Sequence, residues 1–232
     1  MRIVCVRHVR FEGPGAIGDW AALRGHSFAN LQAPKQEWPD PSSFDMLAIM
    51  GGSMGVCDGD AHPWIAGELD FIGSAIASGK TVLGVCLGSQ MLAHVLGGRV
   101  RTAEAREIGW YPVRLTEAGR ASRLFSVWPD EFVAGHWHGD TFDLPDGVNT
   151  AASSEFTRNQ AFEFDDGRVV GLQCHLEWAP EGLRKLVRRH AAELEEGGPW
   201  IMDADTLFAE PRLFRRNRRM LYDLLDRMEA LR

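Results

Sequence analysis

Short apolar runs alternate along this chain with longer stretches whose apolar positions recur every three or four residues, the pattern of a sheet flanked by helices. Residues 2–7 (RIVCVR) read as a first strand, and residues 44–50 (FDMLAIM) as another that ends at Gly51-Gly52. A helix is predicted from Pro63, because Ile65, Leu69, Ile72 and Ile76 share one face and Gly79 supplies a stop. Residues 81–85 (TVLGV) have the near-continuous apolar character of a buried strand. Residues 88–96 then read as a helix closed by Gly97-Gly98.

The pattern changes after residue 100. Residues 108–115, 131–137, 161–164 and 168–174 predict strands, the last two joined by the turn Asp165-Asp166-Gly167. Pro180 sits where a first-turn proline belongs and opens a helix reaching about residue 196. Residues 195–199 (EEGGP) are a hinge, and beyond them a terminal helix carries Phe214, Leu221, Leu224, Leu225 and Met228 on one face. The fold class expected is therefore α/β, an open and mostly parallel sheet flanked by helices, with an additional smaller β portion and a C-terminal helical tail. One domain is expected over residues 1–194, with residues 195–232 as a helical extension packed on it.

Composition narrows the function. The 232 residues are 45% hydrophobic and 25% charged, the globular average, which excludes disordered, collagen-like and coiled-coil chains. A net charge of −7 argues against a nucleic-acid partner. The most apolar window is interrupted by Gln90 and His94, so no membrane partner is expected, and the arginines and histidine among the first ten residues argue against a signal peptide. The four cysteines form no C-x-x-C pair, which points to a reducing, cytoplasmic setting and leaves room for one reactive thiol.

That thiol is Cys86. It stands in GVCLGSQ (84–90), between a predicted buried strand and a predicted helix. Small residues two positions either side of a nucleophile permit a sharp turn that lifts its side chain above the sheet. The following helix aims its unpaired N–H groups and positive dipole end at the sulfur, which favours the thiolate, and the Leu87 amide can hold a developing oxyanion. A nucleophile needs a base and the base an orienter. LQCHLEW (172–178) ends a predicted strand, where His175 and Glu177, two apart, face one way.

Together these segments resemble the class I glutamine amidotransferases, over about residues 3–190. Four motifs carry the resemblance: MGGSMG (50–55), similar to the family's glycine loop; GVCLGSQ, matching G-x-C-x-G-x-Q; HGD (138–140); and QCHLE (173–177), matching Q-x-H-x-E. Cys174 and Leu176 stand where the family usually has Phe and Pro. The resemblance implies a flavodoxin-like sheet with Cys86, His175 and Glu177 as the catalytic triad. It implies an oxyanion hole of Gly52 and Leu87, with Gln90, Ser53, His138, Gly139 and Asp140 contacting substrate. The implied reaction is hydrolysis of the glutamine side-chain amide through a cysteinyl thioester, without metal or organic cofactor. Its small-molecule partner would be glutamine or another γ-glutamyl compound; either a separate synthetase subunit receives the ammonia, or the chain is a free-standing hydrolase, a stand-alone member similar to the glutaminase domain of GMP synthetases. Two rivals are a stand-alone hydrolase of γ-glutamyl amines or peptides and a non-catalytic regulatory or assembly subunit.

Other polar residues carry less. His136 and His138 lack a third ligand nearby in sequence, so no metal site is expected. His94 reads as a core residue, Cys5 and Cys57 as packing thiols, and the tail arginines (Arg212, Arg215, Arg216, Arg218, Arg219) as a solvated helix face.

Overall fold

A computed structural model describes residues 1–35 and 37–231. The first half is built of strands β1 (Arg2–Arg7), β2 (Ser27–Gln32), β3 (Met46–Ile49) and β4 (Thr81–Val85), with helices α1 (Ala16–Leu23), α2 (Trp64–Ala77) and α3 (Leu87–Val95) between or after them. The second half adds β5 (Arg99–Leu115), α4 (Glu117–Ala121), β6 (Glu131–Asp143), β7 (Asn149–Ser153), β8 (Ala161–Phe164) and β9 (Val169–Leu172). Helices α5 (Pro180–Arg189), α6 (Ala191–Glu195), α7 (Ala204–Phe208) and α8 (Pro211–Ala230) complete the chain.

Among the described residues all nine strands form one sheet, ordered β2-β1-β3-β4-β9-β8-β7-β5-β6. The five from β2 to β9 are parallel and the rest antiparallel. Strands β3, β4 and β9 are buried at every position, because both sheet faces are covered. Successive side chains alternate between two cores. Met46, Ala48, Leu83 and Val85 meet Ile17 and Trp20 of α1 and Leu221, Leu224 and Leu225 of α8. Leu47, Ile49 and Val82 meet Ile72 of α2 and Met91 and Leu92 of α3 on the other side.

Several boundaries differ from the sequence reading. β2 and α1 were not expected: β2 is a sheet edge with no buried residue, so its composition carries little apolar signal. β5 and β6 are much longer than their predicted cores, since residues 99–102 of β5 are mostly exposed and are held by pairing with β6 rather than by burial, the register resuming at Glu107 after an irregularity. The predicted helix from Pro180 is two helices broken at His190, whose φ/ψ of −117°/31° leaves the helical region.

The C-terminal segment is stitched to the body. The Trp128 indole donates to Met220 O (3.0 Å), Trp110 to Leu207 O (2.9 Å) and the Asn217 amide to Val133 O (2.9 Å). Beyond the positive-φ pair Gly197 and Gly198, Ile201 bridges to Ile108 beside β5. Among the described residues no helix is long and apolar enough to cross a membrane.

Candidate active site

Cys86 links the C-terminal end of β4 to the N-terminus of α3, with φ of 52° in the region L-residues avoid. Its glycine neighbours are required by contact. A Cβ on Gly84 would lie 2.4 Å from Gly88 O, and one on Gly88 would lie 2.1 Å from Ile49 O. The Cys86 carbonyl accepts from the Ser89 amide (2.9 Å), the Ser89 hydroxyl (2.7 Å) and the Gln90 amide (3.1 Å), which fixes the turn.

His175 is brought to this thiol by backbone pairing. Its N–H donates to Gly135 O (2.7 Å) and its carbonyl accepts from Gly135 N–H (3.2 Å), so β6 holds the segment after β9. The ring stacks on Trp178 at 4.6 Å, above Gly135, where a side chain would strike the Trp178 ring. Nδ1 meets Glu177 Oε1 at 2.6 Å, while Nε2 has no hydrogen-bond partner among the described residues. Burial works against the charged imidazole, but Glu177 and the adjacent Cys86 outweigh it and hold its pKa well above the ordinary histidine value. The Cys86 thiol also lies 3.7 Å from Trp137 O. A thiol, an imidazole and an orienting carboxylate in this order form a set suited to acyl transfer.

The thiol and the imidazole open on a cavity of about 460 Å³ lined by Cys86, Leu87, Gln90, Gly52, Ser53, His138, Gly139, Asp140 and His175. The residues expected from sequence therefore converge, with Glu177 behind His175. Gln90 is buried and its amide reaches Gln173 Oε1 (3.2 Å). Gly52 abuts Leu87: a Cβ on Gly52 would lie 3.0 Å from Leu87 Cδ2. The Asp140 carboxylate faces Gly55, while the His138 ring meets Asp140 O through Nδ1 (3.1 Å).

Sequence reasoning missed a second set of groups. Glu12, Asp58, Arg106, Trp137, His190 and Glu193 also line the cavity. His190 arrives through the helix break; its Nδ1 meets Glu193 Oε1 (2.6 Å) and its Nε2 lies 3.3 Å from Ser53 Oγ. Beneath the glycine loop, His8 contacts Gly51 O through Nδ1 (3.0 Å) and Glu68 Oε1 through Nε2 (3.0 Å), with both side chains fully buried. The proline and glycines at 13–15 were the one sequence signal that the loop after β1 had a special path.

The structure corrects the reading of four residues given little weight from sequence. His94 is exposed, as is Cys57. His136 and His138 do have a third potential ligand, Glu107, which pairs across from His138 in the β5–β6 register. Both Glu107 oxygens are already taken, Oε1 by the Ser154 hydroxyl (2.8 Å) and Oε2 by the Thr157 hydroxyl (2.6 Å) and the Gln160 amide (3.0 Å). Burial alone would raise this carboxyl, yet His138, His136 and Thr157 hold its pKa at about 2. The Glu107 carboxylate is thus the hub of a hydrogen-bond network under the cavity floor, with one oxygen and one ring nitrogen each of His136 and His138 within 4.8 Å of one another.

Comparison with known proteins agrees with this geometry. The glutamine amidotransferase class-I family matches residues 27–191. The chain belongs to that family. It is 33% identical to a glutamine amidotransferase-like protein, YfeJ, of Salmonella typhimurium, over 84% of each chain. A crystal structure of a glutamine amidotransferase from Thermotoga maritima is 33% identical and superposes with a TM-score of 0.88, covering 98% of this chain and 97% of that one. A glutamine-hydrolysing GMP synthase of Streptomyces avermitilis is 33% identical over 57% of this chain, which spans only 25% of that longer protein. As a class I amidotransferase the chain is an enzyme, with the family's largely parallel sheet and its own helical C-terminal segment.

Proposed function

We propose that this enzyme hydrolyses the side-chain amide of glutamine to glutamate and ammonia through a thioester on Cys86. The observation that carries the reading is His175, tied to Glu177 at 2.6 Å through Nδ1, with Nε2 unbonded and beside the Cys86 thiol. The thiolate attacks the amide carbon, and the carbonyl oxygen becomes an oxyanion received by the amides of Gly52 and Leu87. Protonated His175 gives its proton to the nitrogen as the C–N bond breaks. Water, deprotonated by His175, then cleaves the thioester. Gln90, Ser53, His138, Gly139 and Asp140 bind the glutamine end of the substrate.

The likeness to GMP synthases supports a separate synthetase subunit as the ammonia acceptor. Four free cysteines favour a cytoplasmic setting. The packing of Leu221, Leu224 and Leu225 into the main core supports residues 195–232 as an extension of a domain over 1–194.

The direct test is release of glutamate and ammonia from glutamine, with an electrophilic glutamine analogue labelling Cys86 alone. Labelling of the exposed Cys57 instead would defeat the reading. A sharper check is the pH profile of Glu177→Gln. Because Glu177 raises the His175 pKa, its neutral replacement lowers it, and activity that needs protonated His175 fades at lower pH than in the wild type. The alkaline limb is expected to move to lower pH, and turnover to fall by about two to four orders of magnitude. An unmoved limb would remove Glu177 from the relay.

A further inference from the structure

Glu12 is a titratable cavity-lining group beside the reacting pair that the reaction as written leaves idle. The loop that carries it is bound to the catalytic segment. Arg7 clamps the loop through Nε to Glu12 O (2.8 Å) and a terminal nitrogen to Arg10 O (3.0 Å). Ala16 N–H donates to Glu177 O (2.9 Å), and Gly15, at φ of 49°, passes so close that a Cβ there would lie 2.2 Å from the same oxygen. The conformation that sets Glu177 therefore also sets Glu12.

Its carboxylate converges with the other two groups on one point. A Cβ built on Gly51 would stand 2.9 Å from Glu12 Oε2, 3.6 Å from Cys86 Cβ and 3.7 Å from His175 Cε1, the carbon bonded to Nε2. Only hydrogen at residue 51 leaves that space open. Glu193 is engaged by His190 and Trp137, and Asp58 by the Gly55 amide. The Glu12 carboxylate accepts no hydrogen bond from any described residue. Burial and the neighbouring charge of Glu177 raise its pKa above the ordinary carboxylate value, against the opposing pull of His175, His8 and His190. Lining the cavity with no protein donor on its carboxylate, Glu12 is free to accept from an N–H group of a molecule bound there.

We propose that Glu12 is the leaving-group contact of this enzyme: it accepts N–H bonds from the departing nitrogen, and so selects amides over esters. The proposal rests on the Cys86 acyl-transfer reading. In that reaction the leaving nitrogen must lie against His175 Nε2 to take its proton, which places it beside the Glu12 oxygen. As the S–C bond forms and the C–N bond breaks, the nitrogen gains a proton from His175 and moves toward ammonium character. A carboxylate there stabilises the developing positive charge and accepts a second N–H, with no covalent change of its own. The oxygen of an ester leaves as an alcohol and offers no such charge or donors.

The test compares kcat/KM for L-glutamine and for L-glutamate γ-methyl ester in the wild type and in Glu12→Gln, Glu12→Ala and Glu12→Asp. The amide-to-ester ratio is expected to fall about ten- to a hundredfold in the Gln and Ala variants, the range for a hydrogen bond to a charged group. Glu12→Asp is expected to recover part of it. An equal fall for both substrates, or an unchanged ratio, overturns the proposal. Should Glu12→Ala fail to fold, the isosteric Glu12→Gln yields the same ratio. If the wild type cleaves neither substrate, or Cys86→Ala cleaves both, the acyl-transfer reading falls, an outcome distinct from a parallel loss in the Glu12 variants.

Discussion

Cys86→Ala is expected to lower glutamine turnover by about four orders of magnitude or more, as loss of the nucleophile does in related acyl-transfer sites. No other thiol is placed to take over. Cys5 is fully buried, with its pKa pushed up to about 12 by that burial, and Cys174 is driven higher still for the same reason. Cys57 is exposed and does not line the cavity. Steady-state ammonia release measures the loss, and residual activity within tenfold of wild type would overturn the assignment. A companion variant separates chemistry from stability. At φ of 52°, Cys86 holds a conformation that glycine adopts without strain. Cys86→Gly is therefore expected to be equally inactive yet more stable than Cys86→Ala by about 1 kcal/mol. Urea denaturation of the two variants checks it.

What the sequence could show was local. The elbow was readable because Gly84, Cys86 and Gly88 are contiguous, and each glycine answers a backbone contact that no side chain tolerates. His175 and Glu177 were readable because two residues suffice to place both on one side. The parallel core declared itself through β3 and β4, whose apolar runs answer to burial on both faces. The missing elements obey other forces. The Arg99–Thr102 end of β5 is held by its register with β6, which resumes at Glu107 after an irregularity, and no periodicity within either strand reports a partner across the sheet. His190 sat inside an uninterrupted helical pattern, and the break that turns it toward Ser53 shows no proline or glycine. Glu12 depends on a loop whose path is set by Arg7 and by the backbone of Glu177, far along the chain. Long-range pairing of polar groups leaves little mark on a hydropathy pattern.

The buried pair beneath the glycine loop is the clearest such case, and removing its acid should be costly twice over. The Gly51 carbonyl can only accept, and an ionised Glu68 can only accept, so His8 must donate from both nitrogens and is held as the cation. Burial opposes that charge, but the Glu68 carboxylate, the Gly51 carbonyl and the charge of Glu12 outweigh it and raise the His8 pKa above its ordinary value. Glu68→Ala leaves the imidazole without its counter-charge and is expected to destabilise the fold by about 3–5 kcal/mol. The pH dependence follows from the direction of the shift. A raised folded pKa contributes stability fully present below the unfolded histidine value, near 6.5, and lost as pH rises through the folded value. The gap between wild type and Glu68→Gln in urea is therefore expected to be widest below about pH 6.5 and to narrow on the alkaline side. The second cost is catalytic. Across a planar trans peptide the Gly51 carbonyl and the Gly52 N–H point opposite ways, so a histidine holding the carbonyl under the loop turns the amide toward the cavity. Loosening that hold is expected to cut kcat by up to about a hundredfold, approaching the loss of one oxyanion donor, with KM changed much less. Unchanged kcat in a folded Glu68→Gln variant would mean that the loop keeps its orientation without the pair.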